Sequence, residues 1–217
     1  MLEAVIFDMD GVLVDTHATH KQAWQRFLDS VGCTVTDTEL EFIFDGRKRE
    51  DILRYFLGEL SAEEIRRFGY QKEVFFRQQA AELKPIRGVE EFLEHLGHEP
   101  LRLAVASSGS SSRVHYVLER LRLQQYFDAI VAGDDVTLGK PDPAIFMLAS
   151  ARLGVDADNA IVFEDSVSGI KAAKAARMKC VGIANSSRAS SLLEAGADQV
   201  VADFVSFSVG GLHGLFQ

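Results

Sequence analysis

Residues 3–11 read EAVIFDMDG, a short apolar run that stops abruptly at Asp8 and bends at Gly11. Consecutive apolar residues from Ala4 to Phe7 suit a strand buried on both faces, because side chains alternate and neither face is left for water. The same pattern, an apolar run followed by a small polar loop, returns at 102–108 (RLAVASS) and 160–165 (AIVFED). Shorter runs of β type sit at 129–132, 180–183 and 199–202, while helical periodicity fills 88–96, about 112–121, 142–153 and 166–176. Strand and helix in alternation predict an α/β core, a Rossmann-like, doubly wound parallel sheet covered on both faces.

The interval 16–84 breaks that rhythm. WQRFLDSV (24–31), EDILRYFLGEL (50–60) and the long stretch 61–83 read as helices, and nothing there reads as a strand. An all-helical cap domain inserted at 16–84 is expected, with the core formed by 1–15 and 85–217 and hinges at residues 16 and 84. Pro85 and Gly88 mark the return to the core, since proline ends a helix and glycine opens a turn. Trp24, Phe27, Leu28, Phe75 and Phe76 fall at helical spacing and are expected inside the insertion, with Arg66, Arg67, Lys72 and Arg77 on its solvated face. The tail from 206 to 217 reads as a terminal helix interrupted by glycines.

Composition bounds the function. The 217 residues are 47% hydrophobic and 25% charged, which suits a globular chain with a full core and excludes disorder, collagen and coiled coil. A net charge of −9 repels nucleic acid and anionic lipid, so neither is expected as a partner, and a phosphorylated substrate requires a local positive site. Cys33 and Cys180 lie outside any ligand spacing and read as small apolar fillers in a reducing compartment. No apolar run approaches the roughly 20 residues of a membrane span, so a cytoplasmic location is expected.

Ligands of open parallel sheets bind beyond the carboxyl ends of the strands. The polar residues that follow the apolar runs are Asp8 and Asp10, then Ser107 and Ser108, then Glu164 and Asp165, with Lys140 on a loop. If strand geometry persists past Phe7, Asp8 and Asp10 aim the same way, and their repulsion is relieved by a shared proton or by a divalent cation. Glu164 and Asp165 extend that pair to a set of oxygen ligands suited to Mg²⁺. Any one of these acids alone also reads as a helix cap or a solvated charge; the group of four at strand ends does not. Lys140 can neutralise the acids and a transferring phosphoryl group, and Ser107 with the amides of Ser108 and Gly109 offers an anion site. The chemistry is then metal-assisted phosphoryl transfer, with one carboxylate as nucleophile and its neighbour as general acid and base.

FDMDGVLVDT at 7–16, ASSG at 106–109, GKPDP at 139–143 and FEDSVSGIKAA at 163–173 together resemble the haloacid dehalogenase superfamily. The insertion after the first motif is similar to its β-phosphoglucomutase-like, small-cap subfamily, which includes sugar-phosphate phosphatases. The resemblance implies that Asp8 is the nucleophile and that Asp10 is the general acid and base, also giving a backbone carbonyl to Mg²⁺. It further implies that Ser107 and Lys140 hold the phosphoryl group and that Glu164 and Asp165 complete the metal set. The segment FDGRKRED, 44–51, resembles the subfamily's specificity loop, where Gly46 and Arg49 match a glycine and an arginine that reach the substrate. Arg47 neighbours them, His20 stands where a histidine often lies near the general acid, and Thr16, Ser108 and Gly109 complete the expected substrate set.

Departures from the mutase pattern favour a phosphatase. Asp45, Lys48 and Ile52 replace a lysine and two serines of the mutase loop, and Gly109, Ser110 and Ser111 replace a stretch whose lysine and asparagine hold a second phosphate. The expected function is a Mg²⁺-dependent phosphatase for a small phosphorylated metabolite, a sugar or polyol phosphate, working as a monomer with a homodimer as the alternative. A phosphohexomutase of β-phosphoglucomutase type is the second reading, kept open by Arg47 and Lys48. A non-enzymatic phospho-acceptor or silent scaffold comes last, because receiver domains place their acceptor aspartate after a middle strand and carry no inserted lobe. Arg177, in AARM, stands where the subfamily has a glycine.

Overall fold

The computed structural model describes residues 1–205 and 207–216. The chain opens with β1 (Ala4–Phe7) and β2 (Val14–Asp15), then runs through α1 (His17–Ser30), α2 (Asp37–Ile43), α3 (Arg49–Leu57) and α4 (Ala62–Gln79) to β3 (Lys84–Pro85). It continues as α5 (Val89–Leu96), β4 (Arg102–Ser107), α6 (Ser111–Arg120), β5 (Ala129–Ala132), α7 (Ala144–Leu153) and β6 (Ala160–Glu164). The last elements are α8 (Val167–Ala175), β7 (Lys179–Ile183), α9 (Ser186–Glu194), β8 (Gln199–Val201) and α10 (Val209–Gly214). Six strands form a parallel sheet in the order β5-β4-β1-β6-β7-β8, with Phe7 of β1 opposite Val105 on one side and Phe163 on the other. The order reverses beside β1, so Asp8 leaves the sheet at the topological switch point.

Two-residue alternation divides the strand side chains between two cores. Val5, Phe7, Val105, Phe163 and Val181 face α5, α6 and α10, while Ala4, Ile6, Ala104, Ala106, Val162 and Cys180 face α7, α8 and α9. The first core is rich in aromatics: Phe7 stacks on Phe163 with centroids 5.0 Å apart, and Phe92, Phe204 and Phe207 surround the pair. Small alanines on the opposite face let α7 and α8 approach closely. A third core, built from Trp24, Phe27, Leu28, Leu40, Ile43, Ile52, Leu53 and Ile65, belongs to the helices of the insertion.

The predicted sheet strands lie within one residue of the observed ones. The insertion is not wholly helical at its boundary, because β2 and β3 pair antiparallel, Val14 with Pro85 and Asp15 with Lys84, and tie its two ends together. Two-residue strands carry no periodicity to read. Helices α2 and α9 were not expected from periodicity. Thr36 and Glu39 form a capping box that starts α2, and Asn185 accepts from the amide of Ser187 to start the serine-rich α9. Lys72 is buried rather than solvated, whereas Arg66, Arg67 and Arg77 are exposed as expected. Arg177 takes the left-handed conformation that glycine normally fills at a helix end, with φ at 65°, and its guanidinium pairs with Asp158. Of the expected tail helix, Ser206 and Gln217 lie outside the described residues.

Phe163 is fully buried between Phe7, Phe92, Phe204 and Phe207. Phe163→Ala is expected to destabilise the protein by about 3–5 kcal/mol, through lost burial and an unfilled cavity, as measured by urea unfolding.

Candidate active site

Asp8 emerges from β1 into a buried cluster of charge. The Lys140 ammonium, on the loop before α7, donates to Asp8 Oδ1 at 2.7 Å and to Glu164 Oε1 at 2.5 Å. Glu164 is fully enclosed, and its other oxygen accepts from the amide and the hydroxyl of Ser166 at 2.6 and 2.9 Å. Asp165 follows it, with Oδ2 at 3.2 Å from His17 Nε2. This hydrogen bond raises the His17 pKa against the effect of burial. Gly11 makes the turn after the aspartates possible: its φ is 77°, and a Cβ there would lie 2.2 Å from Asp165 Oδ2.

Burial, and then the neighbouring acids, push the Asp8 carboxyl well above the usual carboxylate range despite Lys140. Burial opposes the charge on Lys140, but Asp8 and Glu164 outweigh it and raise its pKa. One lysine thus faces a surplus of carboxylates. Asp8, Glu164 and Asp165 each offer an oxygen, and the three atoms lie within 4.8 Å of one another. Three buried, converging hard oxygen donors fit a divalent cation of the Mg²⁺ class.

Asp10 is separated from this group. Strand geometry ends at Phe7, and the Asp10 carboxylate is gripped by Arg113 of α6, with Nη1 to Oδ1 and Nη2 to Oδ2 both at 2.8 Å. His20 Nε2 lies 3.3 Å from the same Oδ1. Burial alone would raise the Asp10 pKa, but Arg113 and His20 hold it well below the usual carboxylate range. The aspartates therefore do not share a cation through their side chains, as parallel orientation had suggested; the Asp10 carboxylate lies outside the three-carboxylate group. Behind His20 stands Lys72, whose Nζ is 2.8 Å from His20 Nδ1 and 5.2 Å from the Trp24 ring centre. Burial and the nearby cations lower His20 to about 3, and burial followed by Arg113 lowers Lys72 to about 7.

A cleft between the sheet rim and the insertion joins these two charge systems, and it is lined by Asp8, Asp10, Thr16, His20, Gly46, Arg47, Arg49, Ser108 and Gly109 among others. Ser107 is buried below it, its Oγ accepting from the Gly109 amide at 3.2 Å. The loop carrying Gly46 is tied to the core: Ser108 Oγ donates to the Gly46 carbonyl at 2.6 Å, and Asp45 accepts from the Ser168 amide at 3.0 Å and from its hydroxyl at 2.5 Å. Lys48 donates to the carbonyls of Val136 and Thr137 at 2.7 and 3.4 Å. Its charge therefore joins insertion to core and does not restore a second phosphate grip. Arg47 lies over the Phe42 ring and 3.5 Å from Asp45. Arg49 rests against Gly69 of α4, and its Nε is buried with no hydrogen-bond partner among the described residues.

Sequence reasoning missed Arg113, Lys72 and His17. The core loop does not lack a cation, because Arg113, four residues after Gly109, swings back into the cleft. The available signal was Gly109 itself: a Cβ there would stand 2.1 Å from Arg113 Nη2. Lys72 was hidden because basic residues precede it on the same helix, and only its helical phase separates it from them.

Residues 5–183 match the haloacid dehalogenase-like hydrolases. The chain is 37% identical over 214 residues to the phosphorylated carbohydrates phosphatase of Thermotoga maritima, spanning 92% of this chain and 94% of that protein. It is 33% identical over 184 residues to the fructose-1-phosphate phosphatase of Escherichia coli, spanning 82% and 95%. The crystal structure of β-phosphoglucomutase from Clostridium difficile superposes with a TM-score of 0.89 at 27% identity, covering 100% of this chain and 97% of that one. With the family match spanning most of its length and the sheet, strand-end acids and helical insertion in place, the chain belongs to the haloacid dehalogenase-like hydrolase family.

Proposed function

We propose that this protein is a Mg²⁺-dependent phosphatase of small phosphorylated carbohydrates, working through a phosphoryl group carried on Asp8. One observation carries the reading: a buried carboxylate at the switch point of the sheet is held between a lysine and two further acids, at the floor of a cleft roofed by the insertion. The two relatives named as sugar-phosphate phosphatases support the substrate class. Segments 1–15 and 85–217 form the catalytic core in this reading, and 16–84 the cap that excludes water and selects the alcohol.

Asp8 attacks phosphorus, and the P–O bond to the alcohol breaks as the leaving oxygen gains a proton from Asp10, which must first take that proton up against the pull of Arg113 and His20. Water then attacks the same phosphorus, giving its proton to the Asp10 carboxylate, and the bonding pair returns to Asp8 as phosphate leaves. Lys140 and Ser107 offset the phosphoryl charge throughout. Asp8, Glu164 and Asp165, with the Asp10 carbonyl, would hold Mg²⁺. When bound, the cation neutralises the carboxylates and the phosphoryl oxygens that must approach one another. Thr16, His20, Gly46, Arg49, Ser108 and Gly109 border the space left for the sugar.

A mutase is the second reading, favoured by the buried, unpartnered Nε of Arg49 in the cleft. The two separate in one assay. Phosphate release is expected from sugar and polyol monophosphates with Mg²⁺, falling by about 1000-fold or more in Asp8→Asn and on chelation of the metal. Conversion of β-glucose 1-phosphate to the 6-phosphate without net release, given a catalytic amount of bisphosphate, would establish the mutase.

The position of Lys72 in the cleft has a stability signature. Its folded pKa is about 7 against an ordinary 10.5, so between these values the unfolded chain binds more protons and stability rises with pH. Lys72→Met is expected to remove this contribution: its unfolding free energy in urea should gain less than that of the wild type between pH 7 and pH 10.

A further inference from the structure

The Asp10 carboxylate has four lone-pair positions, and its surroundings leave them unequal. Oδ1 faces both Arg113 Nη1 and His20 Nε2, at 2.8 and 3.3 Å, while Oδ2 faces Arg113 Nη2 alone among the described residues, at 2.8 Å. The guanidinium is itself fixed from every side. It is buried, its Nη1 lies 2.9 Å from His20 Nε2, its carbon sits 5.4 Å from the Phe76 ring centre, and it fills the space left by the missing side chain of Gly109. It touches α1 and α4 of the insertion and the loop after β4, and it lines the cleft without contacting Asp8, Lys140, Glu164 or Asp165 through any hydrogen bond.

We infer that Arg113 is a positioning residue for the hydrolytic half of the reaction, holding Asp10 so that the open lone pair of Oδ2 meets the attacking water. The inference rests on the aspartyl-phosphate reading above. In the step concerned, a water lone pair forms the new bond to phosphorus and the Asp8 Oδ–P bond breaks, its electron pair returning to the Asp8 carboxylate. The water proton passes to Asp10 Oδ2 and phosphate departs. Formation of the phosphoenzyme from an aryl phosphate needs no proton on the leaving oxygen, because the phenolate is already a good leaving group. Arg113 thus matters to the second step and not to the first with such a substrate.

The test uses p-nitrophenyl phosphate with Mg²⁺, comparing wild type, Arg113→Met, Arg113→Lys, Asp10→Asn and the double variant Asp10→Asn with Arg113→Met. For Arg113→Met, kcat is expected to fall about 10- to 100-fold, a share of what a positioned base contributes. KM should fall in parallel, leaving kcat/KM within about threefold, and a burst of nitrophenol near one equivalent should mark an accumulating, acid-quenchable phosphoenzyme. Arg113→Lys, which keeps the charge but loses the fork, should show the same signature to a smaller degree. The double variant should be no slower than Asp10→Asn alone. A loss of kcat/KM equal to that of kcat, without a burst, would place Arg113 in substrate binding or in the fold and overturn the inference. A double variant markedly slower than Asp10→Asn would do the same. Failure of the underlying reading looks different: no phosphoenzyme in any variant, and turnover that survives in Asp8→Asn.

Discussion

The site depends on one buried ammonium. Lys140 bridges carboxylates that end two adjacent strands, Asp8 after β1 and Glu164 at the end of β6, from a loop that arrives over the top of the sheet. Two buried acids side by side without a cation would repel strongly in a medium of low dielectric, and one of them would have to take up a proton. The lysine permits both to sit at the rim, and Asp165, which His17 and Arg188 face, adds a third carboxylate within 4.8 Å of the pair. Three carboxylate oxygens gathered this closely fit a divalent cation.

Most of this rim was legible because a parallel sheet makes its own index. An apolar run announces a strand, and the first polar residues after it fall at the carboxyl edge, so Asp8, Ser107, Glu164 and Asp165 could be placed together without coordinates. Lys140 was legible through its position in GKPDP, ahead of a helix that Asp142 helps to start by accepting from the Ala144 amide at 2.9 Å. The second charge system was not legible, for a different reason. Arg113 and Lys72 lie within helices, where burial depends on which neighbour packs against each face, and their partners Asp10 and His20 come from distant parts of the chain. The boundary ribbon of β2 and β3 was hidden by its length alone.

The helices of the insertion have an apolar core of their own and also share the sheet's core through Ala23 and Phe76, while the loop at 45–48 meets the sheet rim through polar contacts. Gly46, Asp45 and Lys48 reach Ser108, Ser168 and the carbonyls of Val136 and Thr137, which rise from three different strand ends. Contacts of this kind form and break with small net change in free energy, because water replaces each lost partner. On the proposed cap reading they suit a roof that opens for substrate and product, whereas the ribbon of β2 and β3 keeps its two ends in register with the core.

One residue, Met9, separates Asp8 from Asp10, but the protein gives them opposite surroundings. Asp8 lies among acids and has its pKa raised; Asp10 lies beside a guanidinium and has its pKa lowered. The turn ending at Gly11, with its φ of 77°, breaks the strand alternation that would have aimed both the same way. A nucleophile must be approached by an anionic phosphoryl group, so its partners must supply positive charge without blocking it. A base that activates water must instead be ionised when the water attacks and keep one lone pair open. One lysine bridging two acids meets the first demand, and one arginine gripping a single acid by both oxygens meets the second. On the proposed mechanism, the division of labour between two aspartates of the same short loop therefore follows from which cation each one meets.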